Sequence, residues 1–354
     1  MKSSNFHLRC MLACLLSAGC NKETDESNLT PTSEIIYGIS SNVIVDTYTD
    51  LAAKSALLEA SLVDLKNNTT EANLEASRQL WKETRQSWEQ AEGFLFGPVS
   101  TEDIDPAIDT WPVNFLELDS LLTSSTPLTT DYLNSLTQDA LRGFHPLEYL
   151  LWGKDGNKQP IDFTLREKEY LLALGTYISQ KTAQLSSRWN DNGNASYRYE
   201  FEKAGDGSGI YSSRKDALLE VVSSMQAICE EVADGKIGEP FLAQNEELEE
   251  SPFSGNSISD FTNNMRSVQN IYTGSYLSDG KGIQDLVRNY NLSLDAEINQ
   301  KITTAISALQ TITLPFGEAI FSQPQQVANA QSAIHDLKLS LDKLPPFIQQ
   351  KVKD

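Results

Sequence analysis

The sequence IVDTYTDLAAKSALLEASLVDL, residues 44–65, decides the fold class. Its apolar residues recur every seven positions, at Ile44, Leu51, Leu58 and Leu65. This spacing places them along one side of an α-helix, where they form a stripe that faces a core. Similar patterns continue along the chain and predict helices over 71–96, 164–189, 211–234, 257–276, 294–312 and 325–344. Because the sequence lacks convincing runs of alternating polar and apolar residues, we predict an all-α protein.

Two stretches rich in glycine, asparagine and aspartate indicate a boundary between domains. They are DNGN at 191–194 and AGDGSG at 204–209. Such compositions are typical of turns and linkers. We therefore predict one helical bundle over 34–195 and a second over 205–354, each of a normal size for such a domain. Each half opens with a long amphipathic helix, so the second bundle is either a duplicate of the first or an unrelated bundle of similar form.

The first 19 residues have the features of an export signal. Two basic residues precede a short apolar segment, and small residues follow it. Residues 17–20, SAGC, resemble the bacterial lipobox, in which the cysteine is lipidated and becomes the first residue of the mature protein. We predict lipidation at Cys20 and a polar tether over 20–33. The alternative is an ordinary signal in which Cys20 has no role.

The mature chain would reach a membrane only through this lipid anchor. No apolar run after the signal approaches the roughly 20 residues that a membrane-spanning helix needs. We therefore predict a protein attached to a bacterial outer membrane, facing either the periplasm or the cell surface.

The chain is strongly acidic, and this charge argues against one class of partner. Its 354 residues include 49 acidic and 28 basic side chains, which gives a formal net charge of −21. Loss of residues 1–19 removes two basic side chains and no acidic one, so the mature charge becomes −23. Binding to nucleic acid depends on lysine and arginine that neutralise phosphates. We therefore expect no nucleic-acid partner.

Few residues that bind metals through sulfur or nitrogen remain after export. Besides Cys20 the mature chain keeps Cys229, which lies in an apolar helical stretch where a buried, unreactive thiol is expected. Its histidines are His145 and His335. These numbers exclude cysteine-rich zinc sites and the HExxH sites of zinc proteases.

The stretch GFHPLEYLLWG, residues 143–153, holds the strongest candidate for chemistry. His145 and Glu148 are three residues apart, so they are neighbours on one face if both are helical. An imidazole and a carboxylate can bind zinc or iron, although two ligands alone are too few. Pro146 favours a helix start that places His145 near the N-cap and Glu148 at the third helical position. The alternative is that Glu148 only caps this helix and interacts with its dipole.

A second candidate set lies on the helix predicted over 71–96. Arg85 and Glu92 share the helix face of two tryptophans. Charged groups on an apolar face are rarely left unpaired. Arg85 could therefore form a structural ion pair with Glu89 or Glu92. Alternatively, these residues could serve as a ligand or general base in a partly buried pocket.

Three further features give weaker signals. The stretch IDPAIDTWP, residues 104–112, could hold Asp109 over a pocket, although such stretches are more often a capped short helix with a packed loop tryptophan, here Trp111. Arg266 points away from the apolar stripe of its helix; it could bind an anion, face the other domain or only contact solvent. The run EELEE at 246–250 is expected to be a solvated acidic loop, with weak attraction of cations as the alternative.

These residues together resemble the imelysin family, whose proteins are also described as insulin-cleaving-peptidase-like. The family motif GxHxxE is present at 143–148 and is followed by the family-like YLLWG. Further segments match in the same order: 88–98, 108–112, and 251–254 with the helix that follows it. The resemblance covers nearly the whole mature chain. It departs at Pro146, where the family commonly has a small helix-forming residue.

The resemblance implies two helical bundles with the GxHxxE residues near a cleft between them. It also implies an exported protein, often a lipoprotein, that is linked to iron uptake or to iron-regulated expression. His145 and Glu148 become a functional pair, and Glu92 and Asp109 become the best additional ligand or pocket residues. The remaining residues expected to contact a ligand are Glu89, Arg85, Trp111 and Arg266.

We therefore predict a protein that binds iron or zinc, or a small metal-linked ligand, at this cleft, with a protein of iron uptake as a further partner. Two alternatives stay open. The first is a metallopeptidase in which the metal activates water and His145 and Glu148 take part in catalysis. The second is a module that binds a peptide or glycan without metal.

Overall fold

The computed structural model describes residues 29–190 and 195–353. The predicted signal, Cys20, most of the tether and the predicted linker at 191–194 lie outside these residues. Within the described part of the chain all regular structure is helical, and no β-strand is present. The prediction of an all-α protein is therefore confirmed.

Long and short helices alternate in the N-terminal half of the described chain. They are α1 (Thr32–Tyr37), α2 (Asp46–Asn67), α3 (Glu71–Glu89), α4 (Pro98–Thr101), α5 (Ile104–Asp109), α6 (Phe115–Thr123), α7 (Thr130–Ser135), α8 (Phe144–Trp152), α9 (Leu165–Asn190) and α10 (Tyr197–Glu202). A π-helix, Gly38–Val45, joins α1 to α2, and a 3-10 turn, Glu92–Phe94, follows α3. Helix α2 packs against α3 and α9. This packing buries the stripe that begins at Ile44, as its periodicity predicts.

The C-terminal half continues the same architecture. Its helices are α11 (Arg214–Glu230), α12 (Glu239–Ala243), α13 (Ser257–Thr273), α14 (Ile283–Arg288), α15 (Leu292–Leu309), α16 (Phe316–Ser322), α17 (Pro324–Leu341) and α18 (Leu344–Lys351). Helix α15 packs against α13 and α17, and α17 also contacts α11. These contacts bury apolar stripes on all four helices, which is the packing expected of a helical bundle.

The predicted end of the helix over 211–234 is wrong. Helix α11 runs on from Glu230 as a π-helix, Glu231–Gly238, and then as α12. The continuation carries Lys236 into the interior, where it is 1% exposed and forms ion pairs. These ion pairs hold the segment in a helical path that its two glycines alone would not favour.

Other predicted boundaries also shift, and the helices predicted over 257–276 and 294–312 end at Thr273 and Leu309. The helix predicted over 71–96 ends at Glu89, because the chain turns there to bring Glu92 against the C-terminal half. The helix predicted over 325–344 ends at Leu341, and Pro345-Pro346 lie in the first turn of a further helix, α18. Proline is tolerated in a first turn, where a missing backbone N–H has no helical acceptor.

The two predicted bundles meet in a shared interior. Helix α3 packs against α13, and the turn Glu92–Phe94 contacts both α11 and α13. Trp88 and Phe94 on one side and Phe261 and Val268 on the other are buried. The division into domains stays a prediction, but this junction is where the polar site of the molecule lies.

Cys229 is buried in α11, as the apolar pattern predicts. Burial raises the pKa of its thiol to about 12. A thiol that keeps its proton at neutral pH is a poor nucleophile, so Cys229 behaves as a small apolar side chain.

The described helices give no candidate for a membrane span. Each one is either too short or too polar to cross a lipid bilayer.

Gly143 allows the closest backbone contact in the region of the site. Its φ angle is +93°, in a region that residues with side chains rarely adopt. A Cβ at this position would lie 2.1 Å from the carbonyl oxygen of Ile108. Ile108 precedes Asp109, and Gly143 lies two residues before His145. The glycine therefore lets the two chain segments bring these side chains together.

We expect Gly143→Ala to lower the free energy of unfolding by about 3 kcal/mol or more, because it adds a backbone clash to an unfavourable φ angle. Urea unfolding followed by circular dichroism measures the loss. Gly207→Ala is the matched control, since Gly207 has φ +102° but no atom within 4 Å of an added Cβ. The control should lose only about 1–2 kcal/mol. Equal losses in the two variants would contradict the role of the close contact.

Candidate functional site

The site is built around the N-terminal turn of α8. The helix begins at Phe144 with Gly143 as its N-cap, so His145 is the second helical residue and Glu148 the fifth. The predicted placement of Glu148 at the third helical position is therefore wrong. Pro146 lies inside the first turn, where it does not interrupt the helix. The His145 and Glu148 side chains are buried, and the helix presents both to the junction between the two halves.

His145 lies between two carboxylates. Its Nε2 atom is 3.2 Å from Asp109 Oδ1, and its Nδ1 atom is 3.4 Å from Glu148 Oε2. Although burial lowers its pKa, the contacts with Asp109 and Glu148 outweigh this effect and raise the pKa of His145 to about 9. The isolated protein therefore holds an imidazolium at neutral pH.

Glu148 is held by the C-terminal half of the chain. Its Oε1 atom accepts hydrogen bonds from the Ser254 backbone N–H at 2.8 Å and from the Ser254 hydroxyl at 2.6 Å. These bonds take the place of the capping role considered from the sequence. The family-like segment 251–254 thus positions the carboxylate that faces His145 Nδ1.

Arg85 lies at the centre of the neighbouring ion pairs. Its guanidinium contacts Asp109 and Glu89 at short range, and Nη2 is 3.1 Å from Glu250 Oε1. The predicted pair between Arg85 and Glu89 is present. Burial raises the pKa of Asp109, but the charge of Arg85, aided by His145, outweighs it and holds the pKa below its usual range.

Lys236 provides a second buried cation. Its Nζ atom donates to Glu92 Oε2 and Glu250 Oε1, both at 2.7 Å, and lies 3.5 Å from Glu89 Oε2. The side-chain amide of Asn264 donates to Glu89 and Glu92 at 2.6 Å each. Glu89 and Glu92, predicted as pocket residues, thus both form ion pairs with Lys236.

We call the ionisable residues at this junction the charge cluster. It consists of Arg85, Glu89, Glu92, Asp109, His145, Glu148, Lys236, Glu250 and Asp260, none of which is more than 4% exposed. Six carboxylates therefore stand against two permanent cations and one imidazole. Burial raises the pKa of Glu89, Glu92 and Asp260, as expected where negative charge is in excess.

Sequence reasoning missed several members of this cluster. The run EELEE is solvated only at its start, because Glu249 and Glu250 are buried while Glu246 and Glu247 are exposed. Glu250 pairs with Arg85, and this ion pair stabilises the carboxylate charge in place of water. Lys236 was missed because the predicted helix ended before Gly235, which left the lysine outside any helix. One signal was present: Val232 and Ala233 lie four and three residues before Lys236, so the lysine follows the apolar face of that helix.

A cleft of about 590 Å³ opens beside the charge cluster. His145 and Glu250 belong to its lining, together with Trp111 and Phe253. The Trp111 ring centroid is 6.5 Å from that of His145 and 5.4 Å from Lys236 Nζ. Residues from both halves of the chain line the cleft, so a ligand in it would contact both.

Arg266 does not join these residues. It is exposed and is not part of the cleft lining in the described chain. On α13 the buried positions are those of the apolar stripe and of Asp260 and Asn264, and Arg266 lies on the solvent side. The expectation that Arg266 faces the cleft is therefore wrong, and contact with solvent describes it.

Two groups of ligand atoms in the described residues are close enough to share an ion. In each group the atoms lie within 4.8 Å of one another: Asp109, His145 and Glu250 form one, and Glu89, Glu92, Asp109 and Glu250 the other. Lys236 already contacts three carboxylates of the second group. In the first group His145 Nε2 faces Asp109 Oδ1 at 3.2 Å without forming a well-aligned hydrogen bond, and Glu250 Oε2 is buried without a hydrogen-bond partner among the described residues. The first group is therefore the better candidate metal centre.

Two predicted ligands lie outside this first group. Lys236 and Asn264 both donate hydrogen bonds to the Glu92 carboxylate. Glu148 faces the opposite nitrogen of the His145 ring and is bound to Ser254. Both contribute to the site through other residues, and neither is placed to share an ion with His145 Nε2.

Proteins of known sequence and structure agree with this architecture. An iron-regulated protein A of Synechococcus elongatus is 31% identical over 325 residues, which cover 90% of this chain and 87% of that protein. A crystal structure provisionally described as an iron-regulated protein A precursor from Parabacteroides distasonis has a TM-score of 0.83 at 22% identity, covering 90% of this chain and 96% of that chain. An imelysin-like protein from Psychrobacter arcticum has a TM-score of 0.67 at 15% identity, with 90% and 93% covered.

The family assignment follows from the extent of these matches. The family model described as peptidase M75, imelysin, matches residues 44–344. This range includes α2 through the first residue of α18 and all members of the charge cluster. The chain therefore belongs to the imelysin family.

Proposed function

We propose that this protein binds one transition-metal ion, iron or zinc, through Asp109, His145 and Glu250. The observation that carries the proposal is the buried Glu250 Oε2, which has no hydrogen-bond partner among the described residues, beside an open cleft. His145 Nε2, also buried there, faces Asp109 Oδ1 at 3.2 Å without forming a well-aligned hydrogen bond. One imidazole nitrogen with two carboxylates is a donor set that suits zinc and ferrous iron. The residues present therefore fit such an ion.

The excess of negative charge in the charge cluster also supports the binding of a cation. The charge cluster holds more carboxylates than cations in an interior where unpaired charge is costly. A divalent cation at this position would offset the excess directly. The contacts of Asp109 with Arg85 and with the Trp88 indole N–H, at 2.5 Å, would keep that carboxylate in place while it binds.

Glu148 would act on the metal through His145. A carboxylate that accepts the Nδ1–H of a histidine fixes the ring and leaves Nε2 free for a metal. Ser254 in turn fixes Glu148 through two hydrogen bonds. In this interpretation the motif has three roles: Gly143 permits the close packing, His145 binds the ion, and Glu148 orients His145.

The biological setting we propose is the handling of iron outside the cytoplasm. The relative from Synechococcus elongatus is named an iron-regulated protein, and the structural neighbour from Parabacteroides distasonis is described as a precursor. Both fit the export signal predicted over residues 1–19. We propose that lipid on Cys20 holds the protein at the outer membrane and that a protein of iron uptake exchanges the metal with it.

Metal analysis of the purified mature protein should find one zinc or iron ion per chain after loading. His145→Ala should lose this ion, because it removes the only nitrogen ligand. His335→Ala is the matched control, since the His335 side chain is partly exposed and pairs with the exposed Asp234, and neither residue belongs to the charge cluster. Unchanged metal content in His145→Ala would contradict the assignment of the site.

Metal affinity should rise with pH. The contacts of His145 with Asp109 and Glu148 raise its pKa to about 9 in spite of burial, so a metal must displace a proton from it at neutral pH. Apparent affinity should increase about tenfold per pH unit below this value. Calorimetry in two buffers of different protonation enthalpy should detect about one proton released per metal. Constant affinity from neutral pH to pH 9 would show that His145 binds as a neutral ring without such competition.

Binding is favoured over peptide hydrolysis by the position of Glu148. A metallopeptidase needs a carboxylate base beside the metal-bound water, and Glu148 lies at the opposite ring nitrogen and accepts two bonds from Ser254. We therefore expect the metal-loaded protein to leave a peptide library intact. Peptide turnover that disappears in Glu148→Gln would establish the peptidase instead.

A further inference from the structure

The second group of carboxylates has the form of a site for a hard cation. Glu89, Glu92, Asp109 and Glu250 each offer an oxygen, and these oxygens lie within 4.8 Å of one another. An ion between two oxygens at that separation would be about 2.4 Å from each, within the range for calcium and carboxylate oxygen. An all-oxygen set of four carboxylates is the kind that calcium prefers.

A side chain of the protein already occupies this position. Lys236 Nζ lies 2.7 Å from Glu92 Oε2, 2.7 Å from Glu250 Oε1 and 3.5 Å from Glu89 Oε2. Lysine is almost never fully buried unless it is paired, and Lys236 is 1% exposed. The ammonium thus supplies positive charge from within the chain, beside the Arg85 guanidinium, which pairs with Glu89, Asp109 and Glu250.

The local backbone is organised to deliver this side chain. Lys236 lies in the π-helix Glu231–Gly238, and π-helical turns frequently occur at functional sites. The carbonyl of Ala233, in the same π-helix, accepts a hydrogen bond from Gln331 of α17 at 2.8 Å. A Cβ on Gly238 would lie 2.9 Å from that carbonyl oxygen. The glycine and the glutamine therefore both accommodate the widened turn.

The two groups of ligand atoms share Asp109 and Glu250. A cation bound among the four carboxylates would therefore compete with a metal at His145 for the same two side chains. An ammonium fixed in the chain prevents this competition, and it pairs with Glu250 through Oε1 while Oε2 has no hydrogen-bond partner among the described residues.

We propose that Lys236 determines which metals this protein accepts. Its ammonium stays in contact with three of the four carboxylates and thereby excludes hard divalent cations such as calcium. An incoming metal is thereby restricted to the group that contains His145. The inference rests on the proposed function for the metal at His145, but its own claim, the exclusion of calcium, is tested separately.

The test replaces Lys236 with an apolar side chain of similar length. Lys236→Met should bind one calcium ion per chain in calorimetry, and calcium should raise its Tm. The wild-type protein should show neither effect. Lys236→Arg keeps a cation in place and should also bind no calcium. Lys301→Met removes an exposed lysine paired with Asp336 and controls for the loss of a lysine as such.

Folding of the variant is part of the test. A Lys236→Met protein that folds only when calcium is present supports the proposal, because the ion then replaces the ammonium. The double variant Lys236→Met with Glu92→Gln restores the formal charge of the cluster and removes one anionic ligand. It should fold without calcium and bind it about tenfold or more weakly than Lys236→Met.

Three results would overturn the proposal. They are a Lys236→Met protein that folds without binding calcium, one that stays unfolded in calcium, and a wild-type protein that binds calcium stoichiometrically. The proposed function fails on a different result, namely wild-type protein that binds neither zinc nor iron. The two claims can therefore fail independently.

Discussion

Two buried cations, the guanidinium of Arg85 and the ammonium of Lys236, make the interior of this protein possible. Carboxylates from α3, the turn after it, α5, α8, α13 and the loop before α13 meet where they are almost out of contact with water. Without the cations these groups would repel one another or take up protons. Loss of one partner from a buried ion pair typically costs about 3–5 kcal/mol. The junction of the two halves and the site beside it therefore depend on the same two side chains.

This dependence explains why the sequence revealed the architecture more fully than the site. Stripes such as that of Ile44 repeat at a helical period, so each long helix could be recognised from its own residues. The charge cluster is instead assembled from positions far apart in sequence: Lys236 and Glu92 meet only after two helical units pack together. A buried lysine and an exposed one look alike in a sequence. The same reasoning applies to Glu250, which ends an acidic run whose first residues are solvated.

The motif residues behave in the same way. Their spacing correctly indicated that His145 and Glu148 are neighbours on one helix face. It could not indicate which ring nitrogen faces which carboxylate, since Asp109 comes from α5 and Ser254 from the other half of the chain. The geometry places Glu148 against His145 Nδ1 and Ser254, and in the function we propose it therefore orients His145 and is not a metal ligand. The resemblance to a family pointed to His145, Glu148, Glu92 and Asp109, which the fold brings into one buried cluster. Their roles stay a proposal.

Trp111 gives the cleft an optical property. Its ring lies against both His145 and the Lys236 ammonium, at the boundary between the buried charges and the opening to solvent. Indole emission depends on nearby charge and polarity, and paramagnetic ions quench it at short range. The occupancy and electronic state of the site should therefore be readable from the intrinsic fluorescence of the unlabelled protein.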